Sequence, residues 1–368
     1  MNNNLKAAVF SFTKRGTELG KKVAAFLQGI EYEPILWTLP KYADDVDEAC
    51  LNNADVIAMG YPCDYHQVVA EAMQKCQALV FIGATGICIR AIAPHLRDKT
   101  VDPAIISLDE RANFVIPLIA GHIGGANELS RHLAEAVGAI ACVTTATDVN
   151  GLFAVDEWAA RNNIALGNMK AAKDVATALV NGEEVGLVTD DAVIIEGKLP
   201  KQVVWGENPA VGMALSVYDN TAPFETTLQL FPKIVHLGIG CKRNTPLEKI
   251  EALVLMVMQE LHIDMRSVVA IASVDLKKDE AGLLAFAKKY GLAAHFYTAD
   301  ELNAVEGDFS VSPLVQRVVG VGNVCERSAV KDSNYGKVIL HKTSLNGVTC
   351  AIAVENITLD FSKTGLRK

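Results

Sequence analysis

The sequence predicts an α/β protein: an amino-terminal, doubly wound and mostly parallel sheet, a smaller α/β middle region and a carboxy-terminal α/β sandwich domain. Three observations carry the prediction. Short apolar runs alternate with helical stretches from residue 5 to about 145, the pattern of a parallel sheet with helices on both faces. At 368 residues the chain is too long for one typical domain and fits two or three. Half of its residues are apolar and only 6% are aromatic, so its cores should be aliphatic.

In the first domain, 1–145, the strand-like runs are 5–12, 34–37, 56–59, 78–82, 104–108, 114–120 and 140–144. Helices are expected at 17–27, 65–76, 87–95 and 126–137, the last with Leu129, Leu133, Ala136 and Val137 on one face. The pattern weakens across the second domain, 146–231, where a helix is expected at 170–180 and short strands at 185–189, 192–195 and 213–218. The proline-bracketed phrase 221–232 (TAPFETTLQLFP) is the expected boundary. The third domain, 232–368, opens with a strand at 234–240 (IVHLGIG). Thr245, Pro246 and Glu248 then have the spacing of a capping box with proline at the first helical position. Strands at 267–274 and 293–297 and a hairpin of 336–341 with 347–354 complete it.

Thirty-four basic against 43 acidic residues leave a net charge of -9, which argues against nucleic acid or an anionic membrane surface as the main partner. Eight cysteines are scattered without a C-x-x-C pair, so spacing indicates neither a zinc site nor a redox dithiol, and no protein-bound metal is expected. The apolar run near residue 10 is too short for a signal peptide, and the longest apolar region, 79–93, is interrupted by Arg90. A soluble cytoplasmic protein with reduced cysteines is expected.

Chemistry concentrates in a few turns. The segment 121–138 (GHIGGANELSRHLAEAVG) places His122, the glycines Gly121, Gly124 and Gly125, and then Asn127 and Glu128 where a strand meets a helix. Open α/β sheets bind ligands at such junctions; glycines let the backbone approach, and helix N–H groups favour an anion. His122, on a glycine-rich loop, suits proton transfer near neutrality, the alternative being that it caps a backbone carbonyl. Glu128 and Arg131 either serve the site or form a helix-surface pair. A second such turn, 83–94 (GATGICIRAIAP), holds Thr85 at a helix start and Arg90 one turn in, either to grip a carboxylate or to be solvated. Asp109 and Glu110, and the phrase 144–148 (TTATD) with Thr145 and Asp148, follow further strands; strands that all run parallel would aim them into the same crevice. In the third domain, 238–243 (GIGCKR) and 319–326 (VGVGNVCE, containing Gly322) are glycine loops that run towards helix starts. Lys242 and Arg243 charge the first loop, and Asn323 with Glu326 caps the second. They are either structural turns or, paired, an anion cradle.

Taken together, GATGICIRAIAP, the DPA at 102–104, GHIGGANEL, TTATD, GIGC with Thr245-Pro246, the SVDL at 273–276 with Asp279-Glu280, and the GVG at 320–322 resemble the cobalt-precorrin-5A hydrolases of anaerobic cobalamin biosynthesis, over nearly the whole chain. The resemblance implies an enzyme acting on a cobalt-bearing, ring-contracted tetrapyrrole: it would open a δ-lactone with water and expel the extruded meso carbon with its methyl group as acetaldehyde. The cobalt would arrive with the substrate, no cofactor would be required, and neighbouring pathway enzymes would be partners. The third domain is also similar to a small separate protein of aerobic cobalamin synthesis. For a flat polycarboxylate substrate, chemistry suggests His122 as base, with Glu128 orienting or replacing it, and backbone N–H groups at Gly124 and Gly125 facing the oxyanion. Thr85, Arg90, Asn127, Arg131, Thr145, Asp148, Lys242, Arg243 and Gly322 would surround the substrate. Two other classes are a non-catalytic corrinoid carrier and a nucleotide-dependent enzyme, although Gly121, Gly124 and Gly125 lack the G-x-G-x-x-G spacing.

Overall fold

The computed structural model describes residues 5–43, 55–58, 64–98, 101–121, 124–310, 316–317 and 320–361. The chain divides into two compact units, Met1–Glu157 and Trp158–Lys368.

The first unit is built on β1 (Leu5–Ser11), β2 (Tyr32–Thr38), β3 (Asp55–Ala58), β4 (Ala78–Ile82), β5 (Ala104–Leu108), β6 (Phe114–Ile119) and β7 (Ile140–Ala141), in the order β3-β2-β1-β4-β5-β6-β7. Its longer helices are α1 (Lys14–Gly29), α3 (Tyr65–Lys75), α4 (Thr85–Ile92) and α5 (Ala126–Val137); α2 (Pro40–Ala43) and α6 (Ala146–Val149) are single turns. Strands covered on both faces read as continuous apolar runs, and β1 is one. Its Ala7 and Val9 enter a core with Leu19, Val23, Leu129 and Leu133 of α1 and α5, while Ala8 and Phe10 enter another with Val69, Ala72, Ala91 and Ile92 of α3 and α4. The doubly wound arrangement follows from that alternation.

The first five strands are mutually parallel. Strand β6 instead runs antiparallel to β5, pairing Val115 with Leu108 and Ile119 with Ile105, and β7 is parallel to β6. The loop 109–113 is too short for a crossover and can only turn the chain back. Asp109 shapes that turn, its carboxylate accepting from the N–H groups of Arg111, Asn113 and Phe114. Burial would push its carboxyl up, but these bonds outweigh burial and hold it below the ordinary range. One expectation is thereby corrected. The exits of β6 and β7, which carry Gly121, 124–128 and 144–148, lie at the edge formed by the amino ends of β1 to β5, opposite the edge that carries 83–94 and Asp109-Glu110.

Helix α7 (Val155–Arg161) leads into the second unit, which holds two five-stranded sheets. The middle sheet has β8 (Ile164–Leu166), β9 (Val185–Thr189), β11 (Val203–Trp205), β12 (Val211–Leu215) and β13 (Thr226–Pro232) in the order β11-β9-β12-β13-β8, only β8 being antiparallel. Helix α8 (Met169–Asn181) starts where the Asn168 side chain accepts from the Lys170 and Ala171 N–H groups, and stops at Gly182 with φ 84°. Within the proline-bracketed phrase 221–232, residues 226–232 form β13, whose Leu228, Leu230 and Phe231 are fully buried in this sheet. Strand β10 (Val193–Glu196) pairs in parallel with β19 (Ile357–Asp360).

The carboxy-terminal sheet is β16-β15-β14-β18-β17, formed from β14 (Val235–Cys241), β15 (Val268–Val274), β16 (Ala293–Tyr297), β17 (Lys337–Leu345) and β18 (Val348–Val354). It is accompanied by α9 (Leu247–Glu260), α10 (Ala281–Tyr290), α11 (Ala299–Asn303) and α12 (Val324–Asp332). The hairpin is as expected, turned by Asn346 and Gly347 at φ 52° and 84°. The capping box is not: Pro246 holds the cap position of α9, and the Thr245 hydroxyl donates instead to the Lys242 carbonyl, closing the loop after β14. Among the described residues no helix is long and apolar enough to cross a membrane.

Candidate functional sites

In the first unit, the glycines of GHIGGANEL serve close packing. A Cβ on Gly124 would lie 2.4 Å from that of Ala120, one on Gly121 would lie 2.8 Å from Asn127 Oδ1, and Gly125 starts α5 at φ 80°. The Ala126 and Asn127 N–H groups, expected to await an anion, donate to the Ala120 and Gly121 carbonyls at 3.1 and 2.9 Å. Those of Gly125 and Glu128 meet no acceptor among the described residues. Buried Asn127 donates from Nδ2 to Thr145 Oγ1 at 2.8 Å and to Asp148 Oδ2 at 2.9 Å, and Arg131 pairs with the other oxygen of Asp148. Asn127 of GHIGGANEL, and Arg131 just beyond that phrase, thus clasp Thr145 and Asp148 of TTATD, four of the residues expected around the substrate. Glu128 is half-buried on α5, and His122 lies outside the described residues.

Thr85 and Arg90 sit at the opposite edge. The Thr85 hydroxyl lies 3.2 Å from that of buried Ser107, and the Arg90 guanidinium folds back over its own helix, 3.7 Å from where a Gly86 Cβ would stand. Chain connections diverge between β1 and β4. By strand direction it is therefore GATG, rather than GHIGG, that occupies the switch point where doubly wound sheets receive ligands.

In the second unit, three glycine-bearing or polar turns converge. Gly240, Cys241 and Lys242 at the end of β14, Ser273, Val274 and Lys277 at the end of β15, and Asn323, Val324 and Cys325 at the start of α12 line a cavity of about 250 Å³, closed by Lys342, Gly347 and Thr349 of the hairpin. Three lysines and the amino end of α12 give it positive potential. Lys277 is partly balanced by buried Glu280, 3.1 Å away. Glu326 beneath the cavity is fully buried; burial would raise its carboxyl, but bonds from the Lys342 N–H, Ser310 and Asn323 hold it low. Burial pushes the Cys325 thiol up to about 11 and raises that of Cys241, so neither is a thiolate nucleophile. The cavity can hold an anion against an apolar wall. The two glycine loops meet at this cavity, and Lys242 is in its wall. Arg243 stands on the surface, 3.6 Å from Asp279, and Gly322 lies one residue before the wall. Lys277 and Lys342 were missed: Lys277 follows SVDL directly, but a lysine on a hairpin reads as a solvated side chain. Among the described residues no group of three or more His, Cys, Asp or Glu side chains is disposed to hold a metal ion.

Comparison with known proteins follows the same three segments. Residues 67–148 match the family described as Cobalamin synthesis G N-terminal, 153–232 the Cobalamin biosynthesis central region and 235–353 the Cobalamin synthesis G C-terminus. The cobalt-precorrin-5A hydrolase of Priestia megaterium is 29% identical over 94% of this chain and 94% of its own length. A solved cobalamin biosynthesis protein G homologue from Sulfolobus solfataricus, 19% identical, covers 95% of this chain and 98% of its own with a TM-score of 0.40. The cobalt-precorrin-5A hydrolase of Salmonella typhimurium is 33% identical over 94% of this chain and 97% of its own length, and the present chain belongs to that family.

Proposed function

We propose that this chain hydrolyses cobalt-precorrin-5A, opening its δ-lactone and releasing the extruded two-carbon unit as acetaldehyde. The observation that supports this beyond kinship is the cavity in which three turns gather Lys242, Lys277 and Lys342. A precorrin is a polycarboxylate, and ammonium groups beside an apolar wall fit one of its carboxylate arms; at about 250 Å³ the cavity suits an arm rather than the ring. A net negative chain needs such a local device to hold an anionic substrate.

Hydrolysis requires a base for water and donors for the developing oxyanion. His122 is the proposed base, with Glu128 orienting or replacing it, and the N–H groups at Gly124 and Gly125 are the proposed donors. The product of this step is a carboxylate and a free secondary hydroxyl. Loss of that hydroxyl's proton then breaks the adjacent carbon–carbon bond, acetaldehyde departs, and the conjugated macrocycle takes the electron pair and a proton.

The decisive experiment incubates the purified chain with cobalt-precorrin-5A and measures acetaldehyde. Stoichiometric release is expected; tight binding of an unchanged macrocycle would make the protein a carrier and overturn the reading. In the same assay His122→Ala is expected to lose roughly 100-fold or more, the scale of general base catalysis, and a folded variant near the wild-type rate removes His122 from that role.

A further inference from the structure

At the far end of α12 from the lysine cavity stands a cluster that the proposed roles leave unused. Asp332, the last residue of α12, has a side chain only 1% exposed. Its Oδ2 lies 2.6 Å from His236 Nδ1, and its Oδ1 lies 2.6 Å from His295 Nδ1 and 2.7 Å from the Tyr297 hydroxyl. Burial would push this carboxyl up, but the bonds from His236, Tyr297 and His295 outweigh burial and keep it below the ordinary range. An ionised carboxylate only accepts, so all three neighbours donate and each histidine carries its proton on Nδ1. In its neutral form, each ring with its proton on Nδ1 leaves Nε2 bare.

The two rings differ in what can reach that nitrogen. His236 is buried, and its Nε2 is without a hydrogen-bond partner among the described residues, 3.6 Å from the Glu355 carboxylate. His295 sits on β16, an edge strand, with its side chain 50% exposed. A buried carboxylate that fixes the Nδ1–H tautomer and leaves Nε2 open is the arrangement by which a histidine becomes a general base. Among the described residues the other histidine–carboxylate pairs are looser: His341 stands 3.6 Å from Glu326 and His262 stands 3.4 Å from Asp219.

We propose that His295, oriented by Asp332, is the proton acceptor for release of the two-carbon unit. This rests on the hydrolase reading. Helix α12 supplies the spacing: its first residues line the lysine cavity and its last is Asp332, about 12 Å apart at 1.5 Å per residue, so a macrocycle with one arm in the cavity can extend towards His295. In the step itself, Nε2 takes the proton of the freed hydroxyl, the oxygen forms the carbonyl of acetaldehyde, and the carbon–carbon bond to the macrocycle breaks. Its electron pair moves into the conjugated ring, and the imidazolium returns the proton to the ring carbon, so no external oxidant or reductant is consumed. Asp332 is a positioning residue, and Tyr297 completes its donors.

The test compares wild type with His295→Ala and His295→Gln, both at a half-exposed position. Each variant is expected to open the lactone while releasing acetaldehyde about 100-fold more slowly or worse, with the ring-opened hydroxy acid accumulating and KM little changed. A variant within a few-fold of wild type overturns the proposal. So does rescue by His295→Gln, whose amide can still donate to Asp332 and would restore a purely structural role. Nitrogen NMR of the free wild-type protein tests the geometry separately: the Nδ1–H tautomer is expected at His295, and the Nε2–H tautomer overturns the assignment. If wild type releases no acetaldehyde while the tautomer is as expected, the hydrolase reading fails rather than the dyad.

Discussion

Gly238 shows how much a motif residue can owe to packing. An added Cβ there would stand 1.8 Å from the Cys325 carbonyl oxygen, because α12 crosses β14 at that point, so the first glycine of GIGC is required for close approach of helix and sheet. The second, Gly240, lines the cavity. The sequence pointed to this loop for its glycines and cations, and it held one of the cavity's three lysines; Lys277 and Lys342 arrive from elements whose convergence is a tertiary fact. Replacing Lys242 and Lys342 together by Met keeps their stems but removes two charges. If they hold a substrate carboxylate as the ground and transition states both require, KM for cobalt-precorrin-5A should rise by roughly tenfold or more with kcat changed much less. A fall in kcat at unchanged KM would mean that the lysines act on the reacting atoms instead.

At the scale of elements, alternating strands and helices were legible from apolar runs, and β4, β5, β9 and β16 fall where the runs place them. Strand direction was overlooked, although the short loop 109–113 already excluded a parallel crossover. That single reversal moves GHIGGANEL and TTATD away from GATG, and it turns Asn127, Arg131, Thr145 and Asp148 into a mutual clasp that the motif alone did not suggest. Helix α12 is anchored in a comparable way at its carboxy end, where Asp332 ties it to β14 and β16 through His236, His295 and Tyr297. Asp332→Asn leaves buried donors poorly satisfied and should cost about 1–3 kcal/mol at pH 7. Because the folded carboxyl lies below its ordinary value of 3.8, its stabilisation is fully present above about pH 4 and is lost as pH falls through the folded value. Denaturant midpoints for wild type and Asp332→Asn should therefore converge as pH falls below about 4. A gap that instead widens below pH 4 would reverse the sign assigned to this carboxylate.

For the whole molecule, three stretches of sequence character become two compact units, since the middle and carboxy-terminal sheets fall in one. Strand β19 shows why: after β18 completes the carboxy-terminal sheet, the chain returns to the middle region, and Ile357–Asp360 pairs residue by residue with Val193–Glu196. Trp158 fastens that return. Its side chain is almost wholly buried, its Nε1–H donates to the Asp360 carbonyl at 2.7 Å, and its ring stacks on Phe361 at 4.7 Å between centroids. Nothing local in the sequence marks a contact that spans two hundred residues. Trp158→Ala removes the stack, the hydrogen bond and a large buried surface together, a loss of about 3–5 kcal/mol. In a unit of this size, at about 2–4 °C per kcal/mol, its melting transition should fall by roughly 10 °C. Calorimetry should show that fall in the transition of the second unit, taking both of its sheets together, while the first unit melts as in wild type. A variant in which the carboxy-terminal sheet keeps its wild-type transition and only the middle region melts early would show that β19 does not couple the two sheets.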